Sequence, residues 1–190
     1  MPKTHIPTPK TTGDRGELFP PDRGSRGAVA TLAAGGITRR TIMTFLEQKI
    51  RDAHTAGRTA LIPFVTAGFP TLDTFWGIIE ELDANGADVI EIGVPFSDPV
   101  ADGPVVEDAS RRALEQGVSL NWIMDGLKQR AGNFKAGIVL MGYLNPFLQY
   151  GLERFAADAT QAGVSGCIVP DLPLDESAPV RTTLKAHGID

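Results

Sequence analysis

Groups able to build a metal or redox centre are scarce in this chain, which has one cysteine and three histidines in 190 residues. A single Cys167 excludes an internal disulfide and a cysteine-based zinc site, and fits a reducing compartment. His5, His54 and His187 are too few and too scattered for a zinc centre or a histidine-based triad. No run approaches the roughly 18 consecutive apolar residues of a membrane span, and the N-terminus lacks the apolar stretch of a secretory signal. Positive charge is short as well: 18 Lys+Arg against 23 Asp+Glu give a net charge of −5 and a pI near 5.2. That balance argues against nucleic acid or an anionic membrane as the main partner, since both require a basic field. A P-loop, a strand-following G-x-G-x-x-G and a G-x-S-x-G elbow are also missing. These absences predict a cytoplasmic protein.

What is present suffices for one core, since 42% of residues are hydrophobic, and 190 residues are too few for two ordinary enzyme domains. Residues 1–40 stand apart, holding five of the 14 prolines, six of the 21 glycines, one aromatic (Phe19), seven basic residues and three acidic ones. Such a segment buries too little apolar surface to offset its ordering entropy, so it is predicted to be a disordered leader. A transit peptide is the alternative, but Asp14, Glu17, Asp22 and the prolines spoil an amphipathic helix. The folded domain is predicted over residues 41–190, whose net charge is −9 once the leader's +4 is removed from −5.

Within that domain Ile42, Phe45, Leu46 and Ile50 fall at helical spacing up to Gly57. Four strand–helix units follow. The strands are read as Ala60–Thr66, Asp88–Val94, Gly137–Tyr143 and Gly166–Pro170. The helices are read over Leu72–Leu82, Val105–Gln116 with Leu120–Arg130, Leu152–Ala162 and Glu176–His187. Such alternation implies parallel strands joined by right-handed crossovers, an α/β fold. Its almost wholly apolar strands suit a sheet covered on both faces, and its chemistry is expected at the C-terminal ends of the strands.

The strand Asp88–Val94 carries Glu91 between hydrocarbon neighbours. Desolvation disfavours the charged carboxylate and raises its pKa, so Glu91 is a candidate proton donor and acceptor near neutral pH. A strand-end glutamate paired with lysine or arginine, or one reaching solvent, is the plain alternative. The loop PFSDPVADGP (95–104) follows directly and carries Asp98 and Asp102. Asp-Pro and Asp-Gly are common turn dipeptides, but ten residues is long for a βα loop. A loop aspartate facing a strand glutamate can split acid and base roles. After the third strand, Tyr143-Leu144-Asn145-Pro146 reads as a loop with a packing phenol and a turn-forming asparagine. Asp171 follows the fourth.

IPFVTAGFP (62–70), GADVIEIGVPFSDPVADGP (86–104), LMGYLNPFLQYG (140–151) and GCIVPDLPLDES (166–177) together resemble the tryptophan synthase α chain family, in family order. The resemblance implies a (β/α)8 TIM barrel of which about the first four βα units are present, making residues 41–190 the N-terminal half of the barrel. It implies a lyase that cleaves indole-3-glycerol phosphate into indole and glyceraldehyde 3-phosphate by a retro-aldol step. It implies further an α2β2 heterotetramer with a β chain that alone holds pyridoxal phosphate, and no cofactor or metal on this chain. By position, Glu91 matches the catalytic acid/base and Asp102 the aspartate that binds the indole N–H. Phe64 and Tyr143 match residues lining the indole pocket, while Asp98, Pro99 and Asn145 match the surface facing the β chain.

Eight βα units require about 250 residues. The chain is therefore expected to be a partial family member lacking the later loops that hold the substrate phosphate, and to be weak or inactive alone. Two other readings stay open. One is a different phosphate-sugar barrel, although the strand-end lysine of an indole-glycerol-phosphate synthase and the strand-end histidines of a ribulose-phosphate epimerase are absent. The other is a non-catalytic half-barrel that docks on a β chain.

Overall fold

Residues 43–190 are described by a computed structural model, and the predicted leader lies outside them. Thr44 opens the first helix, α1 (Phe45–Thr55), by accepting the Glu47 N–H at 3.2 Å, which satisfies one of the amides a helix start leaves unpaired. The strand–helix units then run β1 (Phe64–Thr66), α2 (Leu72–Ala84), β2 (Val89–Gly93), α3 (Pro104–Glu115), α4 (Leu120–Lys128), β3 (Gly137–Met141), α5 (Leu144–Tyr150), α6 (Leu152–Gln161), β4 (Val164–Ile168) and α7 (Ala178–Ala186). The strands form one sheet in the order β1-β2-β3-β4, every pair parallel. This is the predicted α/β alternation.

Several limits differ from the sequence reading, β3 ending at Met141 rather than Tyr143 and α7 starting at Ala178 rather than Glu176, and three elements differ for a clear physical reason. The first strand is three residues long because Pro63 has no N–H to give to a ladder. Carbonyls before it still pair, Leu61 accepting from Asp88 and Pro63 from Glu91, each at 2.9 Å. The fourth strand begins two residues early and ends before Pro170, for the same reason at its far end. At its start, Gly163 turns the chain at a φ of 78° directly out of α6, a conformation that glycine adopts without penalty. The third difference is α5, which occupies residues read as a loop. Pro146 is its third residue, where a missing N–H costs nothing. The Asp171 carboxylate accepts the Leu144 N–H at 2.9 Å, and Phe147 packs on Phe155 with ring centroids 4.6 Å apart.

The two faces of the sheet differ. Ile90, Ile92, Ile138 and Leu140 point to the helices and are buried among Phe75, Ile79, Ile123 and Met124. The opposite, concave face is closed at the N-terminal ends of β3 and β4 by Leu46 of α1. A Cβ added to Gly137 or Gly166 would lie 2.5 Å from a Leu46 methyl carbon, so these glycines let that side chain reach the sheet. Beyond Leu46, Asp190 continues alongside β4. Its N–H donates to Ser165 at 3.1 Å and its carbonyl accepts from Cys167 at 2.8 Å.

Candidate active site

Side-chain alternation puts Glu91 on the concave face. A Cβ on Gly137 would sit 3.6 Å from the Val89 side chain, and one on Gly93 would meet the Phe64 ring at 2.6 Å. Val89, Glu91 and Gly93 therefore share the face opposite the buried Ile90 and Ile92. Glu91 stands in register between Phe64 of β1 and Val139 of β3. It is half-buried and, among the described residues, its carboxylate joins no ion pair or hydrogen bond. With no cation to hold the charged form, loss of water pushes its pKa up from the ordinary carboxylate value. The alternative of a structural Lys or Arg partner thus finds none here. Phe64 supplies hydrocarbon beside the carboxylate because Gly93 leaves room for its ring.

Directly past β2, Val94 N–H donates to Met141 at 2.7 Å, and the chain then leaves the sheet. Phe96 stacks on Tyr143 with centroids 5.3 Å apart, and the Ala101 N–H donates to the Tyr143 hydroxyl at 2.9 Å. Tyr143 is 2% exposed and ends the third strand unit as the N-cap residue of α5. Asp102 follows Ala101, is half-buried, and makes no hydrogen bond or ion pair among the described residues. Helix α3 begins two residues later, after an N-cap glycine, Gly103, with Pro104 in its first turn.

The other predicted residues lie around that loop. Asp98 is exposed and accepts from the Ser97 hydroxyl. Asn145 is exposed in the first turn of α5 rather than forming a turn, and accepts from Gln149 at 3.3 Å. The two line one cleft of about 480 Å³, with Val94, Leu120 and Tyr150 among its walls. Pro99 is half-buried in the same loop but does not line the cleft, and neither Glu91 nor Phe64 does. The structure thus separates a concave-face group, Glu91 with Phe64, from an outer cleft carrying Asp98 and Asn145. Ser119, the N-cap residue of α4, and Asn121 in its first turn also line the cleft; the turn signal ahead of them, Gly117, is the local sequence hint.

Competing chemistry is poorly supplied. Burial pushes the Cys167 thiol up to about 12, and a thiol that resists ionisation is a poor nucleophile. Among the described residues no three His, Cys, Asp or Glu side chains are grouped to hold a metal ion, and no helix is long and apolar enough to cross a membrane.

Known proteins resemble the chain closely. The tryptophan synthase alpha chain of Nitratidesulfovibrio vulgaris strain Hildenborough is 68% identical over 145 residues, 76% of this chain and 56% of that protein. That of Desulfovibrio desulfuricans is 67% identical over 147 residues, 77% of this chain and 58% of the relative. Among solved structures, the tryptophan synthase subunit alpha of Legionella pneumophila strain Paris superposes with a TM-score of 0.74 at 36% identity, over 77% of this chain and 56% of that one. A tryptophan synthase complex from Pyrococcus furiosus gives 0.64 at 36% identity, over 68% of this chain and 54% of that one. The four-stranded parallel sheet is accordingly part of a TIM barrel, and the chain spans a little over half the length of the curated relatives it matches. With the family model described as tryptophan synthase alpha chain matching residues 50–190, this chain belongs to that family.

Proposed function

We propose that the chain carries the acid–base half of an indole-3-glycerol phosphate lyase, cleaving that substrate to indole and glyceraldehyde 3-phosphate. The observation that carries this reading is Glu91: an unpaired carboxylate on the concave face of the sheet, with its pKa raised by desolvation. The retro-aldol step requires C3 of the indole ring to gain a proton and the adjacent side-chain hydroxyl to lose one as the carbon–carbon bond breaks. A single carboxyl group whose pKa is raised by desolvation performs both transfers in turn. Asp102 accepts the indole N–H as positive charge builds on the ring, an electrostatic contribution made mainly in the transition state. Phe64 supplies an apolar wall beside Glu91.

The 145 residues matched to the Nitratidesulfovibrio vulgaris relative cover 56% of its length. Binding energy remote from the reacting bond supports the chemical step as well as affinity, so turnover by these residues alone is expected to be below that of a whole barrel. The chain's proposed partner is a tryptophan synthase β chain, the pyridoxal phosphate belonging to that partner, with contact through Asp98, Pro99 and Asn145.

The test is indole release from indole-3-glycerol phosphate, with and without a family β chain. Glu91→Gln should lower turnover by roughly 10²–10⁴-fold, and unchanged turnover in that variant ends the catalytic reading. A second reading, a non-catalytic docking module, draws support from the separate cleft at Asp98 and Asn145. It is favoured if Glu91→Gln leaves full stimulation of the β chain while no indole is released by either form.

A further inference from the structure

The loop Pro95–Gly103 has little to hold it. Pro95 and Pro99 have no N–H, and among the described residues only the Ala101 N–H of this segment finds a protein acceptor, the Tyr143 hydroxyl at 2.9 Å. The same side chain stacks on Phe96 near the loop's entry, 5.3 Å between centroids. One residue therefore grips the loop at both ends.

Tyr143 itself is fixed. It is 2% exposed, follows β3, and starts α5 in extended backbone at φ −71°, ψ 156°. The next residue is anchored by the Asp171 carboxylate, which takes the Leu144 N–H at 2.9 Å. Gly142, just before it, lets β3 close on the end of β2, since a Cβ there would lie 2.9 Å from Val94 Cβ and 3.2 Å from the Phe147 ring. Sheet, helix and cap thus set where the phenol oxygen sits, and the loop must come to it. Asp102 is the next residue along from the captured amide and has no hydrogen bond of its own to orient it.

We propose that Tyr143 is a positioning residue whose hydroxyl and ring set the loop so that Asp102 is presented to the substrate, a role distinct from lining the indole pocket. The catalytic consequence rests on the proposed function above; the hold on the loop does not. The hydroxyl oxygen remains free to donate its own proton, so accepting from Ala101 does not consume the group.

Tyr143→Phe removes the hydroxyl and keeps the ring on Phe96; Tyr143→Leu removes both. Hydrogen exchange of the 190-residue chain reads the latch directly. In Tyr143→Phe the Ala101 amide should lose protection by about twofold to tenfold, the range that one net hydrogen bond supplies, with β2 and β3 amides unchanged. Tyr143→Leu should lose more, extending to Phe96. Unchanged protection at Ala101 in Tyr143→Phe overturns the proposal. In turnover assays Tyr143→Phe should lower kcat with KM nearly unchanged, because Asp102 acts on the transition state. A raised KM at constant kcat would instead make Tyr143 a pocket wall and overturn the positioning role. Glu91→Gln assayed in parallel separates the two levels: if it has no effect the functional reading fails, while the exchange data still decide the latch.

Discussion

Two carboxylates mark strand β2, one just before it and one at its middle, and their environments are opposite. Asp88, just before the strand, takes both Arg58 guanidinium nitrogens at 2.6 Å and the Leu61 N–H at 2.8 Å. That bidentate arginine, more than any other influence, pulls its pKa down to about 2. Glu91, three residues on, has no such partner, and desolvation moves its pKa up. One acid ties the loop before β1 to the N-terminal end of the sheet. The other is left free on the concave face, toward the end where α/β folds place their chemistry. The difference separates an acid that stabilises the fold from one that costs it stability.

The sharpest way to break that contrast is Asp88→Ala. Removing the carboxylate strands the Leu61 N–H and releases Arg58, but Arg58 is half exposed and regains water. The loss should be about 2 kcal/mol at pH 7, below the figure for fully buried pairs, measured by urea unfolding. Its pH dependence has a definite sign. A pKa lower in the folded than in the unfolded state stabilises above the unfolded value of 3.8, and that stabilisation fades as pH falls through about 2. The gap between wild type and Asp88→Ala should therefore narrow on acidification from pH 4 to pH 2.

Glu91→Gln tests the other half with the opposite sign. A carboxyl whose pKa is raised by folding favours the fold when protonated, so that contribution is lost as pH rises through its folded pKa. Glutamine does not titrate. The variant should be more stable than wild type at pH 8, by less than about 1 kcal/mol because the carboxylate keeps partial contact with water. The advantage should vanish below the unfolded value of 4.5. Equal stability of the two forms across this range would mean that Glu91 is as well solvated as a surface acid.

These two acids were unequally legible in the sequence. Glu91 stands out because one charge among Val89, Ile90, Ile92 and Val94 breaks an apolar strand, and the family motif fixes its register. Asp88 reads as an ordinary strand edge, since its partner Arg58 lies 30 positions earlier and nothing local marks the pair. The same limit hid the Tyr143 latch, whose ends are 42 residues apart. Elements with strong periodicity and glycine stops, such as α2 and α6, were legible. Helix α5 was not, because Asn145-Pro146 carries turn chemistry, and its helical state depends on the Asp171 cap, 27 positions on from Leu144, and on packing against Phe155 of the next helix. The start of β1 and the end of β4 were misplaced where proline forbids a ladder bond, a local rule that apolar runs conceal.

Asp102 supplies a third case and the smallest expected effect on stability. It lacks the cation of Asp88, the strand setting of Glu91 and any hydrogen bond among the described residues. Asp102→Asn keeps shape and removes only charge, so unfolding should shift by no more than about 0.5 kcal/mol, as at other sites without partners. Turnover is the contrasting readout. If the carboxylate meets positive charge developing on the ring nitrogen, kcat should drop on the order of 10²-fold, the usual cost of removing one preorganised electrostatic group. A near-neutral stability change with lost turnover would mark Asp102 as an acid held in place for substrate. Both quantities unchanged would return it to turn chemistry and leave Glu91 as the one catalytic carboxylate on β2 and its loop. A large loss of stability would reveal a structural partner and place Asp102 with Asp88.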